Sequence, residues 1–101
     1  MFKRKRFGEV IERQLGFFLE DDADLLQDIA AALAAYNSAD KSDAEELYGD
    51  YQLTIEAVTD RLAELRDAYA RTLEDEEQYV QEFNLEVVRR WPALSLTIEE
   101  S

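Results

Sequence analysis

Between Ala44 and Thr72 the apolar residues keep a seven-residue rhythm. Tyr48, Ile55, Leu62 and Tyr69 share one heptad position, and Ala44, Tyr51, Val58, Leu65 and Thr72 another, three or four residues away. Side chains at these spacings lie on one face of an α-helix, so a seam held for about four heptads predicts a long helix whose stripe needs partner helices to cover it.

Upstream, Phe7, Ile11, Leu15, Phe18, Leu25, Ile29, Leu33 and Tyr36 recur at three- and four-residue steps, with a gap at Asp22. This segment reads as a helix from Phe2 to about Asn37, either continuous or bent at residues 20–22, where an acidic side chain would cap a restart. The alanines around Leu33 favour helix and permit close backbone approach. The small polar cluster at residues 37–42 is a turn, and Ser42 with Glu45 fits a capping box that opens the long helix near Asp43. Continued to residue 90, that helix would reach about 70 Å, against about 50 Å for its upstream neighbour. A break is more economical. Thr72 or Asp75 would cap a third helix over about 75–90, with Arg89 and Arg90 at its negative pole and Pro92 discouraging continuation.

The expected fold is therefore all-α: a long antiparallel helical hairpin with a shorter third helix packed back, a three-helix bundle over residues 1–92. In the expected register Phe18 lies near Leu62, Ile29 near Tyr51 and Leu33 near Leu47. Gly16 then faces Ala63 and Gly49 faces Ala30, which suits close helix packing; the alternative is two tolerated glycines costing about 1 kcal/mol each relative to alanine. The same register sets residues 3–6 beside residues 74–77. Over residues 93–101, Leu94, Leu96 and Ile98 alternate with polar residues, a period-two pattern that predicts an extended tail lying along the bundle or pairing with a second chain.

One hundred and one residues suffice for one modest core. The absence of Cys and His excludes disulfides, thiolate catalysis, zinc sites built on these ligands and histidine general bases. No uninterrupted apolar segment follows the basic start, and none approaches a membrane span, so a cytoplasmic protein is expected. The net charge is −13. Residues 1–13 carry five basic and two acidic side chains, leaving six basic against twenty-two acidic for the remainder. So acidic a body repels phosphate backbones, which makes nucleic acid an unlikely partner.

Glu56, Asp60, Glu64 and Asp67 form a helical stripe that reads as a solvated face. Glu9 with Glu12 and Glu64 with Asp67 are Glu-x-x-Glu/Asp pairs, and in this form they resemble the pairs with which all-α NTP pyrophosphohydrolases hold Mg²⁺. The resemblance implies an alternative reading, a Mg²⁺-dependent nucleotide or phosphate-ester hydrolase using those four carboxylates. The basic, aromatic run from Phe2 to Phe7 would grip an anionic surface or compensate the acids at residues 74–77. The leading expectation has no catalytic residue and no cofactor. It is a small acidic interaction module, with Tyr69, Tyr79, Phe83 and Trp91 only partly covered within one chain and joined by Leu94, Leu96 and Ile98 in an interface. A homodimer or another protein would cover them. An acidic mimic of nucleic acid bound by a basic protein is a third reading.

Overall fold

A computed structural model describes residues 6–100, without the side chains of Leu96 and Glu100. Lys3, Arg4 and Lys5, and the Leu96 side chain expected at an interface, lie outside the described residues. Those residues form helices α1 (Gly8–Asp21), α2 (Ala23–Asn37), α3 (Ala44–Ala70) and α4 (Glu76–Arg90), a 3-10 turn (Pro92–Leu94) and a short α5 (Ser95–Glu100). They contain no strand.

The upstream segment breaks at Asp22, but capping does not cause it. Asp22 leaves helical geometry at φ −117° and makes no side-chain cap. Its backbone closes α1 through a bond to the Phe18 carbonyl at 2.9 Å. Its carboxylate instead accepts from Arg61 Nε at 3.1 Å. The Ser42–Glu45 capping box does not form either. Asp43 stands at the N-cap of α3 without a side-chain bond, and the turn closes when the amides of Asp43 and Ala44 both donate to the Asp40 carbonyl, at 2.9 and 3.1 Å. At the start of α4 the Asp75 carboxylate accepts from Arg6 at 2.8 Å rather than capping its own helix. Long-range ion pairs thus take the acids that local capping would use.

The buried stripe of α3 is Ile55, Val58, Thr59, Leu62, Arg66 and Ala70. It advances from Ile55 to Arg66 and from Thr59 to Ala70, eleven residues each, and drifts off the heptad positions at Leu65, Tyr69 and Thr72. A straight helix with 3.6 residues per turn does this, because only supercoiling holds a seven-residue seam in place. Before Ile55 no residue of α3 is buried.

α2 packs most extensively on α3. The Tyr36 and Tyr48 rings lie 5.3 Å apart, tilted against each other, beside the turn, and Asp22 meets Arg61 at the other end. α1 turns toward α4: the Phe7 ring lies 5.5 Å from Tyr79 and Phe18 lies 5.9 Å from Trp91. The core gathers Ile11, Leu15 and Phe18 with Ile55, Val58, Leu62, Tyr79, Phe83, Val87, Leu94 and Ile98.

The extended tail is corrected. Leu94 and Ile98 are buried, and α5 contacts both α3 and α4. Residues 94, 96 and 98 satisfy a two-residue period, yet 94 and 98 also satisfy the four-residue spacing of a helix face. Where the core offers an apolar floor and no strand edge, helix is the conformation that satisfies the segment's own backbone.

The close-packing reading of the glycines fails, since a Cβ at Gly16 or Gly49 would meet nothing within 4 Å. Both sit inside helices without positive φ. Gly16→Ala and Gly49→Ala should each stabilise the protein by about 0.5–1 kcal/mol, because alanine restricts the unfolded chain without a clash. Urea denaturation of the single variants reads this directly, with midpoints expected above that of the parent.

Candidate functional site

The two carboxylate pairs proposed to hold Mg²⁺ stand on helices that are not principal neighbours. Glu9 and Glu12 are exposed on α1, where Glu12 lies 3.7 Å from Arg90 of α4. On α3, Glu64 accepts from Arg61 at 3.3 Å, and Asp67 accepts from Arg66 through both oxygens, at 2.8 and 3.3 Å. Among the described residues no group of three or more acidic side chains is placed to hold a metal ion. The expected register had α1 beside α3; the break at Asp22 gives it to α4 instead.

Between α1 and α4 runs an open groove of about 930 Å³, whose lining joins Val10 and Ile11 to the charged Arg6, Glu9, Glu12, Glu82, Glu86 and Arg89. Within the groove Glu86 pairs with Arg89, while Arg6 and Glu12 reach out of it to Asp75 and Arg90. Glu82 is buried, and it accepts from the Phe7 amide at 3.0 Å and from Gln78 Nε2 at 2.7 Å, which fastens the start of α1 to α4. Glu86 accepts from Arg89 and from Arg90 Nε, the latter at 2.9 Å. The Arg89 hydrogen bond, followed by that from Arg90, pulls its carboxyl down to about 2 against the opposing effect of burial. A carboxylate so held is a poor proton carrier near neutral pH and serves as an anchor.

The sign of its pH dependence follows. Folding lowers the Glu86 pKa, so its stabilisation is present above the ordinary carboxylate range near 4.5 and is lost as pH falls toward about 2. Glu86→Gln should be less stable than the parent at pH 6 by on the order of 1–2 kcal/mol, discounted because Arg89 is exposed. The gap should close by about pH 2. Paired denaturation curves across that range check it.

A second polar constellation lies where α3, α4 and α5 meet. The Arg66 side chain is 3% exposed. Besides Asp67 it donates to Asn84 Oδ1 at 3.0 Å and to the Ile98 carbonyl at 3.4 Å. Two turns earlier on α3, the hydroxyls of Thr59 and Thr97 lie 2.9 Å apart, with the carbonyls of Ile55 and Leu94 as further acceptors. This network ties α5 to α3 through Thr97 and the Ile98 carbonyl. Reading α3 as heptads missed it; the signal was Thr59 and Arg66 sitting among Ile55, Leu62 and Ala70 at straight-helix spacing.

Tyr79 has no exposed surface, and its hydroxyl has no partner among the described residues. Burial, then the neighbouring Tyr69, pushes its pKa up to about 12. Tyr79→Phe should stabilise the fold by about 1 kcal/mol by removing an unsatisfied polar atom. Because the folded pKa is raised, the parent should also lose roughly 2–3 kcal/mol as pH climbs from about 10 to 12, a loss that Tyr79→Phe should lack. Alkaline denaturation of the two proteins measures both effects.

Of the aromatic and aliphatic residues expected at an interface, Tyr79, Phe83, Leu94 and Ile98 are in the core, while Tyr69 and Trp91 are half-buried against it. The premise that one chain leaves Tyr69, Tyr79, Phe83 and Trp91 partly covered does not hold for Tyr79 and Phe83, which are fully buried, Tyr79 among the rings of Phe7, Tyr69 and Phe83. The uncovered apolar surface lies elsewhere. α2 contributes no buried residue, Leu33 and Tyr48 are exposed, and Leu53 is 64% exposed. Leu25, Asp28, Leu53, Thr54 and Ala57 line a notch of about 150 Å³ between α2 and α3.

Comparison with protein-family models, with curated proteins and with solved structures finds no match. Among the described residues no helix is long and apolar enough to cross a membrane.

Proposed function

We propose that the chain is a non-catalytic protein–protein interaction module whose working surface is the α2–α3 pair. The observation carrying this reading is that α2, fifteen residues long, buries none of them. A helix usually draws most of its stability from a buried apolar face. One with Leu33 exposed and Leu25, Leu26 and Ile29 half-buried is a surface prepared for a further element. The contacts of Tyr36 with Tyr48 and of Asp22 with Arg61 support reading α2 and α3 as an antiparallel hairpin that projects beyond the core.

For self-association as a homodimer this hairpin offers the exposed Leu33, Tyr48 and Leu53, whereas Tyr79 and Phe83 are spent on the core. Light scattering over a range of concentrations and salt tests it: a monomer throughout removes the dimer while leaving a heterologous partner. The catalytic alternative, with Glu9, Glu12, Glu64 and Asp67 around Mg²⁺, separates by a thermal melt. Millimolar Mg²⁺ should leave the midpoint of an interaction module unchanged, whereas a shift of several degrees would favour the hydrolase.

A further inference from the structure

We infer that the notch between α2 and α3 docks a cationic amphipathic helix of a partner protein, which inserts one Leu- or Phe-sized side chain between Leu25 and Leu53 and sets its lysines or arginines on the surrounding carboxylates. This rests on the interaction reading above and names the partner's chemistry.

The notch is an open, mostly apolar depression of about 150 Å³, room for one side chain of Leu or Phe size. Its rim is acidic on both helices. Asp50 and Glu56 stand three residues either side of Leu53, Asp60 stands three beyond Ala57, and Asp24 and Asp28 flank Leu25; all five are exposed. Asp28 itself lines the notch, and residues three apart are neighbours on a helix surface, so Asp50, Glu56 and Asp60 border it from α3. Arg61, one turn beyond Ala57, is engaged by Asp22 and Glu64. Residues 23–60 hold nine acidic side chains and one base, Lys41. Charge decides between occupants. A second copy would bring the same nine acids against this face, and like charges across an interface repel, whereas a helix with basic residues beside its apolar stripe matches both features.

The test titrates the full chain into a fluorescent synthetic peptide of about 18 residues, leucines spaced i, i+3, i+4, i+7 and lysines elsewhere. Anisotropy is read at about 50 and 500 mM salt. Binding is expected at low salt and should weaken at least about tenfold at high salt, with Leu53→Ser, and with Asp28→Asn combined with Asp50→Asn. Leu85→Ser is the control, because Leu85 is as exposed, at 63%, but lies on α4 away from the notch; it should leave binding unchanged. No binding, equal binding of a scrambled Leu/Lys peptide, or equal loss in Leu85→Ser overturns the proposal. So does a dimer that Leu53→Ser dissociates, although the broader interaction reading survives that result. That reading falls with the inference if the chain binds neither peptide nor itself and its melting point rises with Mg²⁺.

Discussion

Ending the chain after Ala93 is expected to unfold most of the protein at room temperature, and Leu94→Ala and Ile98→Ala are each expected to cost about 2–5 kcal/mol. Both side chains are essentially inaccessible, at 1% and 0% exposure, and share one core with Phe83, Val87 and Leu62. Deleting α5 would open that core, remove the Thr97 partner of Thr59 and take the Ile98 carbonyl from Arg66. Domains of this size have only about 5–15 kcal/mol of net stability, so even one of the alanine variants removes a large part of it. Urea denaturation followed by far-ultraviolet circular dichroism is the measurement. A truncated chain that keeps its helical signal and loses less than about 1 kcal/mol would mean that the last residues only lie along a core complete without them.

The second large effect belongs to Arg66. Arg66→Ala should cost about 3 kcal/mol, because it strips the buried stem from the core and leaves Asn84 and the Ile98 carbonyl short of a donor. Arg66→Met should recover part of that loss, since replacing a buried ion by an apolar side chain of similar length avoids the desolvation penalty. Arg66→Lys should recover less than a conservative change normally would, for one ammonium cannot reproduce the two parallel bonds to Asp67. Asp67→Asn should be mild, because that side chain is 45% exposed and water replaces the guanidinium. An Arg66→Ala variant as stable as the parent would show that the buried guanidinium contributes nothing net.

The two effects mark where local pattern stopped being informative. The third helix, expected at about 75–90 and found at Glu76–Arg90, was legible because an unmatched acidic stretch precedes it and Pro92 follows it. The turn before α3 was legible from its small polar residues. The capping side chains were not, because Asp22 and Asp75 found arginines far away in sequence. The carboxylate pairs of the metal reading looked joined only under a register that kept α1 beside α3. The uncovered notch at Leu25 and Leu53 was legible only in part: Leu53 stands off the heptad seam of α3 and is exposed, but Leu25 fits the upstream apolar pattern, and pattern cannot say which apolar residue is left without a neighbour.

From residue order alone came the helical class, the positions of the turns, the acidic surface and the exclusion of thiol and imidazole chemistry, because spacing, propensity and charge act over one or two helical turns. Which helix α1 lies against, that residues 95–100 coil beneath the core, and that a guanidinium rather than a leucine fills the junction there were decided only in three dimensions. Those outcomes depend on the total apolar area that can be covered at once, a property of the whole chain that no seven-residue window contains.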